Sequence, residues 1–455
     1  GRAILFTNHS SPVAEKWKTA VRKGTKRFMK LKKSKYMPLT LAIVLLACAV
    51  GASCILLHNT PAQPGKTLQS AQTASVDNTL FSEKVTPRHG AYLQHEGEMM
   101  AVWVPFMSLS VENEGTKEAF EKKFDEIVKT SKEHNMNTLI VHVRPYGDAL
   151  YPSEYYPWSH ILTGTQGKDP GYDPLEYMID AAHAAGLEFH AWINPLRIKV
   201  SQTPQKLSED NPHNLWKNDD DKTNDDWTLS WAGDIYLNPA SAGARGYIID
   251  SIEEIIRNYA VDGIHFDDYF YPTSDAEYDK TSYQAYRESL DQNATPLTLT
   301  AWRTANISSL IAGVYNRIHA LTDEVVFGVS PQGNIENDLG MGADVYDWGS
   351  IQGYVDYLCP QIYVSFDHAL LPYDQTAQQW RALTTNPNVK LYIGLAVYKA
   401  GSDADEGTWE SANDILKQQI EYGRNLGADG FMLYAYDYLV NDQTKEEIEN
   451  VMKII

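Results

Sequence analysis

Two adjacent carboxylates, Asp267 and Asp268, follow a short apolar run in the middle of the chain and are themselves followed by three aromatic residues. The stretch 262–272 predicts a buried strand that stops before Pro272, because proline cannot donate a hydrogen bond to a neighbouring strand. Carboxylates transfer protons or act as nucleophiles, and aromatic rings stack on sugar rings. The combination is typical of enzymes that break glycosidic bonds, whereas an isolated Asp pair more often caps a helix or forms an ion pair.

Hydrolysis of a glycosidic bond usually requires two carboxyl groups, one protonated and one ionised. Adjacent residues of a strand point to opposite faces, so Asp267 and Asp268 form this pair only if the strand ends between them. We therefore predict that Asp268 lies near the substrate with Asp267 close behind it. Asp148 and Asp437, at the ends of other predicted strands, are candidates for the partner carboxylate, ahead of Glu154.

Polar and aromatic residues also stand at the ends of most other apolar runs. A barrel with only a structural role needs no such repetition, although any single residue of this kind can equally be a helix cap. The residues predicted to line a substrate cleft are Arg144, Tyr146, Trp192, Asn194, Tyr271, Gln361, Tyr363, Tyr434 and Asp437.

From residue 98 onward, short apolar runs alternate with longer amphipathic ones, the pattern of parallel strands joined by crossover helices. Strands are predicted at 98–106, 138–145, 187–195, 262–272, 325–333, 355–363, 390–398 and 429–439. Helices are predicted at 116–135, 174–186, 240–259, 304–321, 346–353, 375–385, 409–427 and 444–455. Eight such units in one run predict an α/β fold, the (β/α)8 TIM barrel.

Three long connections, at 146–173, 196–239 and 273–303, follow predicted strands. In a (β/α)8 barrel they lie on the face that carries the active site. The first strand is not followed by a glycine-rich phosphate turn, so no dinucleotide site is predicted.

Three histidines, His142, His190 and His265, fall inside predicted strands. Histidines in such positions are more often hydrogen-bonded core residues than ligands, and the chain contains no His-x-His or His-Glu-x-x-His spacing. We therefore predict neither a catalytic metal nor a cofactor. Cys359 is the only cysteine of the predicted barrel, which excludes a disulfide framework.

Charge is distributed unevenly along the 455 residues. Residues 1–36 hold eleven Lys or Arg against one Glu, a net charge of +10, so the remainder carries −30 and the whole chain −20. A body this acidic makes nucleic acid an unsuitable partner.

The uncharged stretch 37–57 is long enough to span a bilayer, which takes roughly 20 residues, and the basic arm 1–36 predicts a cytoplasmic N-terminal side. The predicted protein is a single-pass membrane protein with its barrel, 95–455, outside the cytoplasm. A flexible linker, 58–94, connects the two parts. A cleaved signal peptide, or lipidation at Cys48 or Cys54, is the alternative.

Several of these motifs together resemble the glycosyl-hydrolase-like family 10 barrels of bacterial envelope proteins. The resemblance covers roughly residues 97–440 and rests on the stretches 141–151, 192–195, 262–269, 330–331 and 360–363. It implies an anchored or secreted glycosidase acting on cell-wall glycan, with peptide-free peptidoglycan strands as the favoured substrate.

The same resemblance assigns functional positions. It implies that Asp267 and Asp268 take the acidic strand-four positions, and that the neighbouring cleft contains Arg144, Asp148, Trp192 and Asn194. The chain departs from the pattern at Gln332, where relatives tend to have an aromatic residue. Two other interpretations stay open: a glycan-binding barrel without catalysis, and an enzyme of another class on the same fold, such as a polysaccharide deacetylase.

Overall fold

The protein's architecture, given by a computed structural model that describes residues 84–455, is a closed barrel of eight parallel strands. The strands are β1 (Met99–Val104), β2 (Thr138–Arg144), β3 (Glu188–Ile193), β7 (Gly263–Phe266), β8 (Val326–Val329), β9 (Tyr357–Leu358), β10 (Lys390–Ala396) and β11 (Gly430–Tyr434). They follow one another around the barrel in chain order, and β11 closes the ring by pairing with β1. The predicted eight-stranded parallel barrel is confirmed.

The longer helices pack around the outside of the barrel, and short helices lie in the loops between strands. They are α1 (Phe106–Leu109), α2 (Lys117–Glu133), α3 (His160–Thr163), α4 (Pro174–Ala184), α5 (Pro212–Asn218), α6 (Ala242–Asn258), α7 (Lys280–Glu288), α8 (Leu299–Leu321), α9 (Ile335–Gly340), α10 (Val345–Ser350), α11 (Tyr373–Leu383), α12 (Ala404–Gly407), α13 (Ile415–Leu426) and α14 (Lys445–Val451). Helix α8 begins earlier than predicted, because the Thr298 side chain caps it by accepting a hydrogen bond from the Ala301 N–H.

A large apolar core fills the space between the strands and the outer helices. A second, smaller cluster lies inside the barrel and consists of Met99, Ala101, Trp103, Ile140, Trp192, Tyr357, Cys359 and Met432. Two glycines make room for large interior rings: a Cβ on Gly263 would overlap the His190 ring, and one on Gly328 would overlap Tyr357. The interior is therefore packed with side chains and is not an open pore.

The connection between β3 and α6 contains a small sheet that the sequence pattern did not predict. Its strands are β4 (Arg197–Lys199), β5 (Thr228–Trp231) and β6 (Asp234–Leu237), antiparallel in the order β4-β6-β5. These strands are too short to show a clear apolar periodicity. The sheet forms part of the face that holds the ends of the barrel strands.

Residues 84–94, the last part of the predicted linker, contact the opposite end of the barrel. The Val85 N–H donates to the Leu321 carbonyl at 2.8 Å, and the Leu93 N–H donates to Asp262 Oδ1 at 2.7 Å. Because of these hydrogen bonds, residues 84–94 are an ordered part of the barrel domain, and the prediction of a flexible linker is wrong for them. The predicted arm, the apolar stretch 37–57 and the rest of the linker lie outside the described residues. Within residues 84–455, no helix has both the length and the apolar character needed to cross a bilayer.

Candidate active site

Asp267 and Asp268 lie directly after the last residue of β7, so strand alternation no longer sets their directions. Asp267 faces the end of β3, where Trp192 Nε1 donates to its Oδ2 and Asn194 Nδ2 donates to its Oδ1, both at 3.0 Å. Asp268 faces the end of β9, where Gln361 Nε2 donates to its Oδ1 at 3.0 Å. Each carboxylate thus has its own donors, and the two stand side by side at the barrel mouth.

Burial controls the protonation of both groups. Removal from water and, to a smaller extent, the charge of Asp268 raise the pKa of Asp267 to about 6, while the Arg197 charge and the hydrogen-bond donors oppose the rise. Burial likewise raises the pKa of Asp268, while the hydrogen bond from Gln361 works in the other direction. The mouth therefore holds two interacting carboxyl groups whose pKa values lie closer to neutrality than usual.

Asp268 lines a cavity of about 210 Å³ that opens beside the ends of β8 and β9. Gln332 and Gln361 supply polar side chains to its wall, and Tyr363 and Leu371 supply apolar surface. A carboxyl group, two amides and an aromatic ring around one cavity are suited to a ligand that carries many hydroxyl groups on an apolar ring skeleton.

Aromatic side chains form a wall next to this cavity. The ring of Tyr434, at the end of β11, lies 5.7 Å from Tyr363 and 5.9 Å from Trp103, measured between ring centroids. On the other side of the mouth, Trp192 stacks on His142 at 3.7 Å with nearly parallel planes. The rings of Tyr363, after β9, and Tyr434, at the end of β11, thus lie together on the two sides of β10.

Arg197, in β4, is a site residue that sequence reasoning missed. Its guanidinium carbon lies 3.5 Å from the centroid of the Tyr269 ring, and its charge lowers the pKa of both Asp267 and Asp268. Asn194 Oδ1 accepts the Arg197 backbone N–H at 2.9 Å, which ties this residue to the end of β3. Its position three residues after Asn194 was the available signal.

The structure does not bring Arg144 to the carboxylates. Its side chain is buried, donates from Nη1 to Ser251 Oγ in α6 at 3.1 Å, and lies 4.3 Å from the centroid of the Tyr156 ring. Pairing between β2 and β3 shifts register between His142 and Arg144, so the alternation of side chains is broken there. Arg144 consequently packs behind the barrel wall, although His142 two residues earlier faces the interior.

Asp148 and Tyr271 are also held away from the mouth. Asp148 is fully buried and accepts hydrogen bonds from His160 Nδ1 at 3.1 Å and Gln166 Nε2 at 2.9 Å. Tyr271 is buried, and Asn306 Nδ2 in α8 donates to its hydroxyl at 3.3 Å. Asp148 and Tyr271 therefore hold neighbouring loops and helices together and do not face the cavity.

Tyr146 and Asp437 lie on connections that follow barrel strands. Tyr146 contacts Phe106 with ring centroids 5.4 Å apart, and burial raises its pKa while the nearby Arg197 charge opposes that rise. Asp437 accepts a hydrogen bond from Ser108, which joins the connections after β11 and β1. Glu154 lies elsewhere: it is exposed, and its backbone N–H donates to Glu254 near the C-terminal end of α6.

Two of the three strand histidines take part in an internal hydrogen-bond chain. Trp103 Nε1 donates to His265 Nε2 at 3.2 Å, and the Tyr357 hydroxyl lies 2.9 Å from His265 Nδ1 and 3.1 Å from His190 Nδ1. Indole nitrogen is only a donor, so His265 Nε2 accepts and its Nδ1 carries the proton. His265, itself held by Tyr357, thereby fixes the ring of Trp103 inside the barrel. In residues 84–455 no three His, Cys, Asp or Glu side chains are grouped so as to hold a metal.

The sequence profile of a family described as glycosyl hydrolase-like 10 matches residues 98–411. Glycosyl hydrolase YngK of Bacillus subtilis is 35% identical over 365 residues, which span 74% of this chain and 67% of that protein. Glycosyl hydrolase DigH of Escherichia coli is 30% identical over 429 residues, 87% of this chain and 94% of that protein.

Among solved structures, the catalytic domain of a β-amylase from Paenibacillus polymyxa is similar, with a TM-score of 0.51 at 12% identity. The match covers 80% of this chain and 99% of that domain. At this level of identity the similarity concerns the barrel fold alone.

Proposed function

The chain belongs to the glycosyl hydrolase-like 10 family, and we propose that it is a glycoside hydrolase that cleaves glycan strands of the bacterial cell wall. The observation that carries this proposal is the placement of two buried carboxyl groups with raised pKa values, Asp267 and Asp268, beside an aromatic wall. Such a pair is the usual equipment for glycoside hydrolysis through an oxocarbenium-like transition state.

The surroundings of the two groups suggest different roles. Asp268 lines the cavity, and burial favours its protonated form, so it is placed to give a proton to the leaving glycosidic oxygen. Asp267 accepts hydrogen bonds from Trp192 and Asn194 and has the Arg197 charge nearby. Above a pH of about 6 it is ionised and faces the positive charge that develops at the anomeric carbon.

The family to which the chain belongs supports a cell-wall glycan, and in particular peptidoglycan strands without peptides, as the substrate. Several exposed apolar side chains lie on connections that follow the C-terminal ends of barrel strands, and they offer contact surface beyond the cavity: Met107, Leu215, Tyr269, Leu370 and Val440.

The proposed location is the outer side of the cytoplasmic membrane. The uncharged stretch 37–57 and the basic arm before it support a single-pass anchor with the barrel outside the cytoplasm. Release of the barrel by cleavage, or a lipid anchor, would place it in the same compartment as the glycan.

The decisive experiment is digestion of intact and peptide-free peptidoglycan by the wild type and by the Asp268→Asn variant, with soluble products measured by mass spectrometry. The variant is expected to lose about 100- to 10,000-fold in rate, because the proton donor is removed while its shape is kept. Asp180→Asn makes the same change on the exposed face of α4 and serves as the matched control.

A fully active Asp268→Asn variant with wild-type circular dichroism would contradict the assignment of Asp268. Wild-type protein that binds the glycan tightly but releases no product would instead support a binding barrel without catalysis.

A further inference from the structure

Arg197 is a cation whose hydrogen-bonding capacity is unused within residues 84–455. Its guanidinium stacks on Tyr269, but in this part of the chain its side chain has no hydrogen bond and no carboxylate oxygen within 4.0 Å. Other arginines of the barrel are paired: Arg303 makes two hydrogen bonds to Asp279, and Arg424 makes two to Glu98. An arginine beside two aspartates that pairs with neither has its donors available for a ligand.

The position of Arg197 is fixed by its surroundings. The backbone N–H is bonded to Asn194, and the residue pairs with Tyr236 in the small sheet β4-β6-β5. Stacking on Tyr269 holds the plane of the guanidinium. The side chain is therefore preorganised, which reduces the entropy lost when it binds a partner.

Arg197 also acts on the groups of the mouth. Its charge influences the protonation of His142, Tyr146, Asp267 and Asp268, which surround it from β2, the loop after β2 and the end of β7. A negatively charged ligand would be repelled by the ionised carboxylate of Asp267 and by the acidic body of the protein. Arg197 provides the compensating charge at the place where the substrate enters.

We propose that Arg197 binds a carboxylate substituent of the glycan and thereby selects strands in which the lactyl carboxylates of the muramic acid residues are free. The planar guanidinium matches a carboxylate through two parallel N–H···O bonds. When a peptide is attached, that carboxylate is replaced by an uncharged amide and this interaction is lost. The inference rests on the proposed function and adds a specificity residue to it.

The test compares two forms of peptide-free glycan, one with free lactyl carboxylates and one with the same groups converted to methyl esters. For each, kcat/KM is measured with the wild type, Arg197→Gln and Arg197→Lys. The wild type is expected to prefer the free acid by roughly 10- to 100-fold, the size of a lost charge-assisted pair of hydrogen bonds. Arg197→Gln should lose this preference, with the change mainly in KM. Arg197→Lys should keep part of it.

Lys199→Gln provides the matched control, because Lys199 lies on the same strand and its ammonium group donates to the Gln205 carbonyl. This variant should keep the wild-type ratio of the two substrates. Two results would overturn the proposal. Either Arg197→Gln keeps the wild-type preference for the free acid, or it lowers kcat/KM on both substrates by the same factor. In both cases Arg197 does not bind the lactyl carboxylate.

A binding experiment separates this proposal from the hydrolase assignment. Calorimetry with the same two glycans on Asp268→Asn, with and without Arg197→Gln, requires no turnover. Tighter binding of the free acid that disappears with Arg197→Gln supports the carboxylate subsite even if the wild type releases no product. Equal binding of acid and ester to Asp268→Asn contradicts it even if the wild type proves to be a hydrolase.

Discussion

Burial raises the pKa of Asp267 to about 6, and the donors around its carboxylate limit that rise. Asn194 Nδ2 and Trp192 Nε1 hydrogen-bond to its carboxylate form and so oppose the rise in pKa to about 6 that burial causes. If Asp267 must be ionised in the reaction, kcat/KM falls as the pH drops through this value. The acid limb of the pH profile should therefore lie near a pH of about 6.

Replacement of Asn194 by Ala removes one of these donors, which should raise the pKa of Asp267 and move the acid limb to higher pH by about one unit. Measurement of kcat/KM between about pH 4.5 and 8 for the wild type and this variant tests the prediction. Asn306→Ala removes an amide donor from Tyr271, away from the mouth, and should leave the limb in place. An unchanged limb in Asn194→Ala would mean that another group controls it.

Single strands and helices decide which side chains reach the mouth. Strand β7 ends at Phe266, so both aspartates lie beyond the regular strand. Asp267 is hydrogen-bonded by Asn194, and Asp268 is hydrogen-bonded by Gln361. Strand β2 loses its regular register before Arg144, which sends this residue behind the wall. Local departures from ideal strand geometry thus define the site as much as residue types do.

Glycines in two elements should respond oppositely to substitution. A Cβ at Gly328 in β8 would overlap the Tyr357 ring, so Gly328→Ala is expected to lower the free energy of unfolding by about 1–3 kcal/mol. Gly246 lies inside α6, where a Cβ would meet open space, and Gly246→Ala should raise the free energy of unfolding by about 0.5–1 kcal/mol. Urea denaturation of both variants measures the difference. Equal stability of Gly328→Ala and the wild type would show that Tyr357 can move aside.

At the scale of the whole molecule, the closed barrel collects strand ends that are far apart in the chain. Asp268 and Gln361 are separated by 93 positions, yet they are hydrogen-bonded at the mouth. The opposite end is covered by residues 84–94, where Lys84 pairs with Asp323 and the His89 strand bridge reaches Tyr259. The barrel and this N-terminal segment are therefore expected to unfold together.

A chain shortened to 84–455 should keep the stability and the activity on soluble glycan of the full chain. Removal of the segment as well, to give 97–455, should reduce the free energy of unfolding by about 2–4 kcal/mol, because several backbone hydrogen bonds, including those from Val85 and Leu93, are lost. Chemical denaturation of the three chains measures this. Equal stability of the two shortened chains would show that the segment does not contribute.

Periodicity along the chain was sufficient to predict the barrel, since each strand–helix unit is a local pattern that carries its own signal. The same holds for Asp267 and Asp268, because their place after an apolar strand depends only on neighbours in sequence. Arg144 and Arg197 show what the sequence did not determine. A register shift turns the first away, and a sheet of very short strands brings the second to the mouth. Both outcomes depend on hydrogen bonding between segments that are distant in the sequence. That pairing forms only when the strands come together in the folded barrel, so no local pattern in the sequence predicts it.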